Sequence, residues 1–195
     1  MINKIILASK SGVRKKILNT HGITCEVIPS NIDEDQIKES LLREKASPEI
    51  ISKNLAELKA NKISIKNNDK IVLGADSVID LNNELISKPR NREEALNILQ
   101  KLNGKKHQLI SSVCISKNGS MIWSCTDSSN LTMKKLNLEE IKSYLLKIRD
   151  TELYAYGVYQ IEAGGKFLFS KIEGNEDTIM GLPILKIKEY LKNYE

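Results

Sequence analysis

The sequence predicts an α/β fold, with strands and helices alternating in the first half of the chain and antiparallel hairpins in the second. Three observations support this prediction. The apolar run 5–8 is followed by a polar loop and then by residues with helical spacing. Residues 71–79 are apolar at nearly every position, which is typical of a strand buried on both faces. Asn118 and Gly119 separate two long runs and predict a hairpin turn.

The first half of the chain contains clear signals for where helices begin and end. The loop 9–12 leads from the first strand into a helix that ends at Gly22, and a second strand covers 25–28. The acidic stretch 33–35 is expected to lie in a loop. Ser47 followed by Pro48 suits the N-cap and the first position of a helix. We then expect a strand at 71–79, a turn at 82–83 and a short strand at 85–86. A helix that starts with Asn91 and Glu94 is expected at 91–104.

The second half of the chain predicts a change to antiparallel strands. Two runs, 109–116 and 121–128, flank the turn at Asn118 and Gly119. After this hairpin we expect a helix at 137–145, strands at 158–161 and 167–172, and a C-terminal helix at 181–194. Since there is no repeat and no clear linker, we expect a single domain over residues 1–195.

Composition narrows the class of protein. The formal net charge is +5, but there is no run of five or six basic residues, which argues against a nucleic-acid partner and suits an anionic small molecule. Three scattered cysteines and two histidines favour neither a disulfide framework nor a zinc site. Neither a secretion signal nor a membrane-spanning run is present, so we expect a cytoplasmic protein with no membrane partner.

Asp76 is the most informative residue, because packing alone does not explain a carboxylate in a buried strand. Burying it costs several kcal/mol unless a cation, a metal ion or a hydrogen-bond donor lies next to it. The carboxyl ends of strands in open α/β sheets are also where ligands bind. The alternative is that Asp76, expected at the end of its strand, only caps the following turn.

The loop that precedes the first helix has the residue types of an anion site. A helix N-terminus offers free N–H groups and a positive dipole end. Ser9 and Ser11 add hydroxyl groups, and Arg14 can bind phosphate oxygens through two parallel hydrogen bonds. The spacing is not that of a Walker A loop. The alternative is a serine-capped helix that carries solvated cations.

Several charged residues are expected at loop or helix edges, where they could surround Asp76. Carboxylates that converge there could hold Mg²⁺, and lysines could neutralise a triphosphate. Each of them alone could equally be a solvated side chain. These residues are Asp33, Glu34, Lys59, Lys88 and Glu162.

Seven short segments, in this order along nearly the whole chain, resemble the motifs of the Maf family of nucleoside triphosphate pyrophosphatases. They include Leu7-Ala8-Ser9-x-Ser11, Gly74-Ala75-Asp76-Ser77 and a tyrosine- and glycine-containing motif that ends at Glu162. The complete set lies at 6–14, 55–60, 74–77, 88–95, 102–107, 156–162 and 172–183.

The resemblance implies a metal-dependent hydrolase that cuts a nucleoside triphosphate between its α and β phosphates. It implies a long mixed β-sheet flanked by helices, similar to the related inosine triphosphate pyrophosphatases, with a cleft between two lobes. It also implies a homodimer and a divalent cation, Mg²⁺ or Mn²⁺. By position, Asp76 matches the proton acceptor, and Asp33 stands where the family usually has Glu, so Asp33 and Asp76 are the metal candidates. The phosphate-handling positions are matched by Ser9, Ser11, Arg14, Lys59 and Lys88.

The chain departs from the family pattern at three positions linked to base choice. Val13 replaces the first of two arginines, Ser77 stands where Thr or Gln is usual, and Glu162 stands where the branch acting on dTTP and UTP has Gln. A branch acting on 7-methyl-GTP has Glu at this last position. Base specificity is therefore left open.

Two roles for Asp76 and two alternative functions also stay open. Asp76 either accepts a proton from the attacking water or holds the metal ion that activates it. The alternatives to the main hypothesis are a regulatory nucleotide-binding protein of septum formation with weak catalysis, and a pyrophosphatase for deaminated purine nucleotides such as ITP or XTP.

Overall fold

The structure is a computed structural model that describes residues 4–194, except for the side chain of Ala163. Its strands are β1 (Lys4–Leu7), β2 (Thr24–Val27), β3 (Val72–Leu81), β4 (Glu84–Ile86), β5 (Lys106–Lys117), β6 (Ser120–Met133) and β7 (Phe169–Glu173). Its α-helices are α1 (Gly12–Thr20), α2 (Glu34–Arg43), α3 (Pro48–Ser64), α4 (Arg92–Leu102), α5 (Leu138–Leu146), α6 (Asp150–Tyr156), α7 (Glu176–Ile179) and α8 (Ile184–Asn193).

All of these strands belong to one mixed sheet. Its order is β2-β1-β3-β5-β6-β7, and β4 pairs with the end of β3. β1 is parallel to β2 and β3, whereas β3, β5, β6 and β7 follow one another antiparallel. Helices pack on both faces, so the predicted α/β fold with a mixed sheet is confirmed. Within residues 4–194, none of the helices combines the length and apolarity needed to span a bilayer.

The sheet is interrupted next to the middle of β3. β1 pairs with β3 only at Val72 and Leu73, because β1 ends at Leu7. On the same edge of β3, the next partner is β4, whose pairing begins at Ile79. On its other edge β3 pairs with β5 without interruption from residue 72 to residue 80. Residues 74–78 therefore have one open edge, beside the carboxyl end of β1.

This arrangement corrects the predicted position of Asp76. The residue lies in the middle of β3 and not at its end. The sequence shows where apolar residues stop but does not show that β5 continues to pair with the polar part of the strand. Asp76 nevertheless lies just beyond the end of β1, which is the parallel neighbour of β3.

Two large apolar clusters lie on either side of this interruption. One joins β1, β3 and β5 to α1 and α8 and includes Leu73 and Ile187. The other joins the second half of the sheet to α4 and α5 and includes Leu99 and Leu131. The two clusters form the two lobes that flank a cleft.

Two predicted local structures were wrong. The acidic stretch 33–35 is not a loop, since Asp33 is the N-cap of α2 and the helix follows immediately. No residue of α2 is fully buried, so the apolar spacing that identifies a helix is weak. Residues 158–160 are irregular and lead into a 3-10 turn, Ile161–Ala163. They are buried, and a buried irregular segment has the same apolar pattern as a short strand.

Gly74 provides the first testable prediction, because α3 crosses β3 directly above it. A Cβ at Gly74 would lie 2.2 Å from the backbone O of Ala56 and 2.7 Å from the backbone N of Ala60. We expect Gly74→Ala to lower the free energy of unfolding by about 3 kcal/mol, since backbone must move to make room. Urea denaturation measures this. Gly12→Ala is the matched control, because its Cβ has 3.7 Å to its nearest neighbour, and an equal loss in both variants would contradict the prediction.

His107 provides a second prediction, on the pH dependence of stability. It is buried beside Phe169, and its Nε2 lies 3.1 Å from the hydroxyl of Tyr159. Burial lowers the pKa of His107 from 6.5 to about 4. As the pH falls from 6.5 to 4, the unfolded chain therefore binds a proton that the folded chain does not, and stability decreases.

We expect the parent protein to lose about 3 kcal/mol more than His107→Gln between pH 7 and pH 4. Below pH 4 the two curves should run parallel, because both states of the parent then carry the proton. Urea unfolding at several pH values measures the difference. Parallel curves over the whole range would show that the burial of His107 does not control acid stability.

Candidate functional site

A cavity of about 430 Å³ lies at the open edge of β3. Its wall is formed by the loop between β1 and α1, the first turn of α2, the segment that follows α6 and the turn before α8. The polar residues predicted for the site are mostly found here, namely Ser9, Ser11, Arg14, Lys59, Asp76, Ser77, Lys88 and Glu162. Asp33 does not line this cavity.

Lys59 joins two carboxylates inside the cavity. Its Nζ lies 2.7 Å from Oδ1 of Asp76 and 2.8 Å from Oε1 of Glu34. Lys59 and Asp76 are each 5 % exposed, so this is a buried ion pair. Burial would raise the pKa of Glu34, but the charge and hydrogen bond of Lys59 outweigh it, so that the pKa is lowered. Glu34 is therefore charged at neutral pH.

The second oxygen of Asp76 is available for a ligand. Oδ2 is buried and has no hydrogen-bond partner in the described part of the chain. Leaving such an oxygen without a partner costs about 1–3 kcal/mol or more for a charged group. The backbone O of Asp76 accepts from Oγ of Ser52, on α3, at 3.2 Å, and its side chain faces the same helix. The arrangement suits a carboxylate that binds a proton or a cation.

Asp76 and Glu34 fit a divalent cation better than Asp76 and Asp33 do. Mg²⁺ uses one or two carboxylates together with water and substrate phosphates. Glu34 shares the cavity and Lys59 with Asp76, whereas the side chain of Asp33 accepts a bond from the backbone N of Gln36 at 3.0 Å. Within residues 4–194, three or more His, Cys, Asp or Glu side chains are nowhere grouped as a complete metal site. Of these two neighbouring acids, only Glu34 lines the cavity.

Arg14 is bound mainly by the protein. Its Nε donates to the carbonyl O of Gly181 at 2.9 Å, and Nη2 donates to Oγ of Ser77 at 3.1 Å. Its Nη1 donates to Oγ of Ser9 at 3.1 Å and to the carbonyl O of Ala75 at 2.9 Å. Four of its five N–H donors are thus used. The expected grip on phosphate through two parallel bonds would require some of these bonds to break.

The bond to Ala75 continues the ladder that β1 leaves unfinished. The carbonyl O of Leu73 accepts from the backbone N of Ala8 at 2.8 Å, and Ala75 is the next residue whose carbonyl points to that edge. The guanidinium of Arg14 therefore takes the place of a neighbouring strand. Burial lowers the pKa of Arg14, and the charges of Asp76 and Glu34 counteract this effect.

The first turn of α1 is capped by serine side chains and borders the cavity. Ser11 is the N-cap, and its Oγ accepts from the backbone N of Arg14 at 3.3 Å. Ser9 Oγ accepts from the backbone N of Ser11 at 3.2 Å. The helix N-terminus opens into the cavity, so its dipole favours negative charge there.

Lys88 lines the cavity and is bound by α6. Its Nζ donates to the carbonyl O of Ala155, in α6, at 2.7 Å. The surrounding protein and the positive charge of Arg14 lower the pKa of Lys88, whereas the charges of Asp76 and Glu34 act in the other direction. A phosphate in the cavity would therefore compete with one backbone carbonyl for this ammonium group.

The three residues at which the chain departs from the family pattern also line the cavity. Val13 is half-buried on α1, Ser77 lies next to Asp76, and Glu162 is exposed. Glu162 lies in the same segment as two exposed aromatic residues of the cavity wall, Tyr154 and Tyr156. This part of the cavity combines a carboxylate with aromatic rings.

Two cavity-lining cations were missed by the sequence analysis. Lys10 is exposed in the loop before α1. Lys38 lies on α2, with its Nζ 3.7 Å from Oε2 of Glu34. Once α2 is known to be a helix, Glu34 and Lys38 form an i,i+4 pair, which is the signal that could have identified Lys38.

The chain has many relatives of similar length. A protein of Pelagibacter ubique (strain HTCC1062) named nucleoside triphosphate pyrophosphatase is 68% identical over 192 residues, covering 98% of each chain. A protein of Brucella abortus biovar 1 (strain 9-941) named 7-methyl-GTP pyrophosphatase is 37% identical, covering 98% of this chain and 96% of the relative. The Ham1 protein structure from Coxiella burnetii has a TM-score of 0.55 at 12% identity and covers 98% of this chain and 99% of that one.

The Ham1 similarity concerns the fold alone, because the sequence identity is low. A family model described as Maf-like protein matches residues 4–194, which is nearly the whole chain. This match includes every residue that lines the cavity. The chain therefore belongs to the Maf family.

Proposed function

We infer that this protein is a nucleoside triphosphate pyrophosphatase, a hydrolase that cuts the bond between the α and β phosphates. Its products are a nucleoside monophosphate and pyrophosphate. One observation carries this conclusion: Asp76, whose buried Oδ2 has no partner among the described residues, lines a cavity that is rich in cations. The names of the relatives from Pelagibacter ubique and Brucella abortus support the same activity.

Asp76 is the proton acceptor in this proposal. A water molecule attacks the α-phosphorus, and Oδ2 of Asp76 takes its proton. Lys59 holds the other oxygen, Oδ1, at 2.7 Å and so fixes the orientation of the carboxylate. Because Asp76 is carried by a strand in the middle of the sheet, its backbone cannot move far.

The remaining polar groups bind and neutralise the phosphates. Ser9, Ser11 and the N-terminus of α1 bind phosphate oxygens on one side, and Lys59 and Lys88 provide positive charge on the other. Arg14 adds its charge and its one remaining N–H. Positioning and charge neutralisation are the main requirements of this chemistry, and the cavity supplies both.

A divalent cation, Mg²⁺ or Mn²⁺, completes the proposed site. Glu34 is the residue that would hold it, together with oxygens of the substrate, because the free oxygen of Asp76 takes the proton in this proposal. Such a cation supplies Lewis-acid polarisation of the phosphate and offsets part of its charge. Asp76 and Glu34 share the ammonium group of Lys59 in the structure, so Lys59 and the cation would together neutralise the two negative charges.

The base end of the cavity favours a modified purine that carries positive charge. Glu162 provides a carboxylate, and Tyr154 and Tyr156 provide aromatic faces that attract cations. Val13 adds apolar surface where an arginine would repel such a base. 7-Methylguanine has a positive charge in its ring, and the relative from Brucella abortus is named for 7-methyl-GTP. We therefore propose 7-methyl-GTP as the first substrate to be tested.

We further propose that the protein works as a homodimer in the cytoplasm. The dimer is implied by the family. Three free cysteines, of which Cys114 is buried, suit a reducing compartment. Light scattering of the purified protein measures its mass in solution, and a monomer of 22.0 kDa would contradict the proposed dimer.

A panel of nucleotides tests the activity. The purified protein with Mg²⁺ or Mn²⁺ is incubated with 7-methyl-GTP, GTP, dTTP, UTP, ITP and XTP, and the release of pyrophosphate is measured. We expect pyrophosphate and a monophosphate, with the highest kcat/KM for 7-methyl-GTP. A preference for ITP or XTP would indicate the deaminated-purine alternative. Nucleotide binding with no pyrophosphate from any substrate would contradict the hydrolase and favour a regulatory protein.

Asp76→Asn tests the proton acceptor. We expect kcat to fall at least ~100-fold, because general-base catalysis contributes about 10²–10⁴-fold. The matched control is Asp80→Asn, on the same strand but outside the cavity, where an amide oxygen can still accept from the backbone N of Asn83. The control should keep the parent rate. Asp76→Asn with parent kcat and an unchanged melting temperature would remove Asp76 from the mechanism.

A further inference from the structure

Ser111 lies on β5, the strand that pairs with the one carrying Asp76, and the proposed mechanism gives it no role. It is fully buried on β5, directly opposite Ser77 of β3. Opposite residues of an antiparallel pair project from the same face of a sheet. Oγ of Ser111 lies 2.8 Å from Oγ of Ser77 and 2.7 Å from the carbonyl O of Thr178.

These contacts fix the direction of the hydrogen bonds. A carbonyl oxygen can only accept, so the hydroxyl of Ser111 donates its single proton to Thr178. Ser111 must then accept from Ser77, and Ser77 accepts from Nη2 of Arg14 at 3.1 Å. The bonds run in one direction, from Arg14 through Ser77 and Ser111 to Thr178. The hydroxyl proton of Ser77 is therefore donated to Oγ of Ser111.

Together these groups form what we call the brace: Arg14, Ser77, Ser111 and the carbonyl groups of Thr178 and Gly181. The brace holds Asp76 from both sides. On one side Arg14 binds the carbonyl O of Ala75, the residue before Asp76, and on the other it binds the side chain of Ser77, the residue after it.

The far end of the brace is fixed in turn. The hydroxyl of Thr178 donates to Oδ2 of Asp127 at 2.9 Å, and Nζ of Lys186 lies 3.1 Å from Oδ1 of the same carboxylate. These bonds tie the turn between α7 and α8 to β6. The turn is also close to the brace, because a Cβ at Gly181 would lie 3.1 Å from Oγ of Ser77. The brace therefore connects Asp76 to a packed and anchored turn.

We propose that Ser111 is a positioning residue for the reaction at Asp76, an inference that rests on the proposed function. Ser111 touches no substrate. It fixes Ser77, and through Ser77 it fixes the guanidinium that replaces β1 at the open edge of β3. Small displacements of a reacting group reduce the rate strongly, so a relaxed brace lowers turnover more than it lowers binding.

The test replaces Ser111 in two ways. Ser111→Ala removes the hydroxyl, and Ser111→Cys fills nearly the same space but hydrogen-bonds weakly. We expect kcat for the substrate preferred in the panel to fall about 10-fold or more in both variants. KM and the inhibition constant of pyrophosphate should change less than about 3-fold, because the phosphate-binding groups stay in place. The rates are compared at a temperature where circular dichroism shows each variant to be folded.

Ser116→Ala is the matched control. Ser116 is on the same strand, is equally buried and has its own hydrogen bond, to Oδ1 of Asn61 at 2.6 Å, but it lies outside the cavity. We expect this variant to lose a similar amount of stability and to keep the parent kcat. Equal losses of kcat in the Ser116 and Ser111 variants would show a general effect of stability and overturn the proposal.

A double-mutant cycle tests whether Ser111 acts through Ser77. If it does, Ser77→Ala combined with Ser111→Ala loses no more kcat than Ser77→Ala alone. Losses that multiply would contradict the brace, as would parent kcat in either folded Ser111 variant. These outcomes leave the hydrolase assignment intact. A parent protein that releases no pyrophosphate would instead overturn the proposed function, and this inference with it.

Discussion

The burial of Asp76 in the middle of β3 is the constraint on which the rest of the site depends. A charged carboxylate inside a sheet is stable only with a cation close by, and Lys59 supplies it at 2.7 Å. That ammonium group comes from α3, so the helix must pass very close to the strand. The same requirement explains why Gly74 faces the backbone of Ala56 and Ala60 at a distance that excludes any side chain.

The geometry of strand and helix connects these observations. Gly74 and Asp76 are two residues apart on β3, so they project from the same face, about 7 Å from each other. Where Gly74 lets α3 approach, Ala60 fills the contact, and the preceding residue, Lys59, extends along the strand to the carboxylate. The glycine is therefore needed for the ion pair as well as for packing. A change in the packing of α3 against β3 at Gly74 would therefore also disturb the ion pair of Lys59 and Asp76.

The local motifs were predictable from the sequence because their signals are local. The helix caps at Ser47, Asn91 and Asn137 and the turn at Asn118 each depend on neighbouring residues, and all four are present. Most of the polar residues that line the cavity were also named in advance, although Lys10 and Lys38 were not. The roles of these residues could not be predicted as well. A sequence does not show, for example, that most N–H donors of Arg14 are hydrogen-bonded to the protein itself.

What the sequence did not show has a common physical origin. Asp33 matches a motif position but only Glu34 lines the cavity, and the direction of a side chain in the first turn of a helix is not visible in the sequence. Residues 158–160 were taken as a strand because burial gives the same pattern in irregular and regular backbone. Ser111 gave no signal at all, since a serine inside a strand has no local feature that marks a long-range hydrogen bond to Thr178.

The site keeps a destabilising feature that the proposed chemistry requires. Lys59 satisfies only Oδ1 of Asp76, and Oδ2 is buried without a partner among residues 4–194, at a cost of about 1–3 kcal/mol. A second protein donor at Oδ2 would recover that energy, but it would also occupy the oxygen that receives a proton in the proposed mechanism. Glu34 limits the loss in a different way, because it shares Lys59 and keeps the ammonium group in place without covering Oδ2. The unsatisfied oxygen is thus maintained by the rigidity around it, with α3 held against Gly74 on one side of β3 and the guanidinium of Arg14 bound to its open edge on the other.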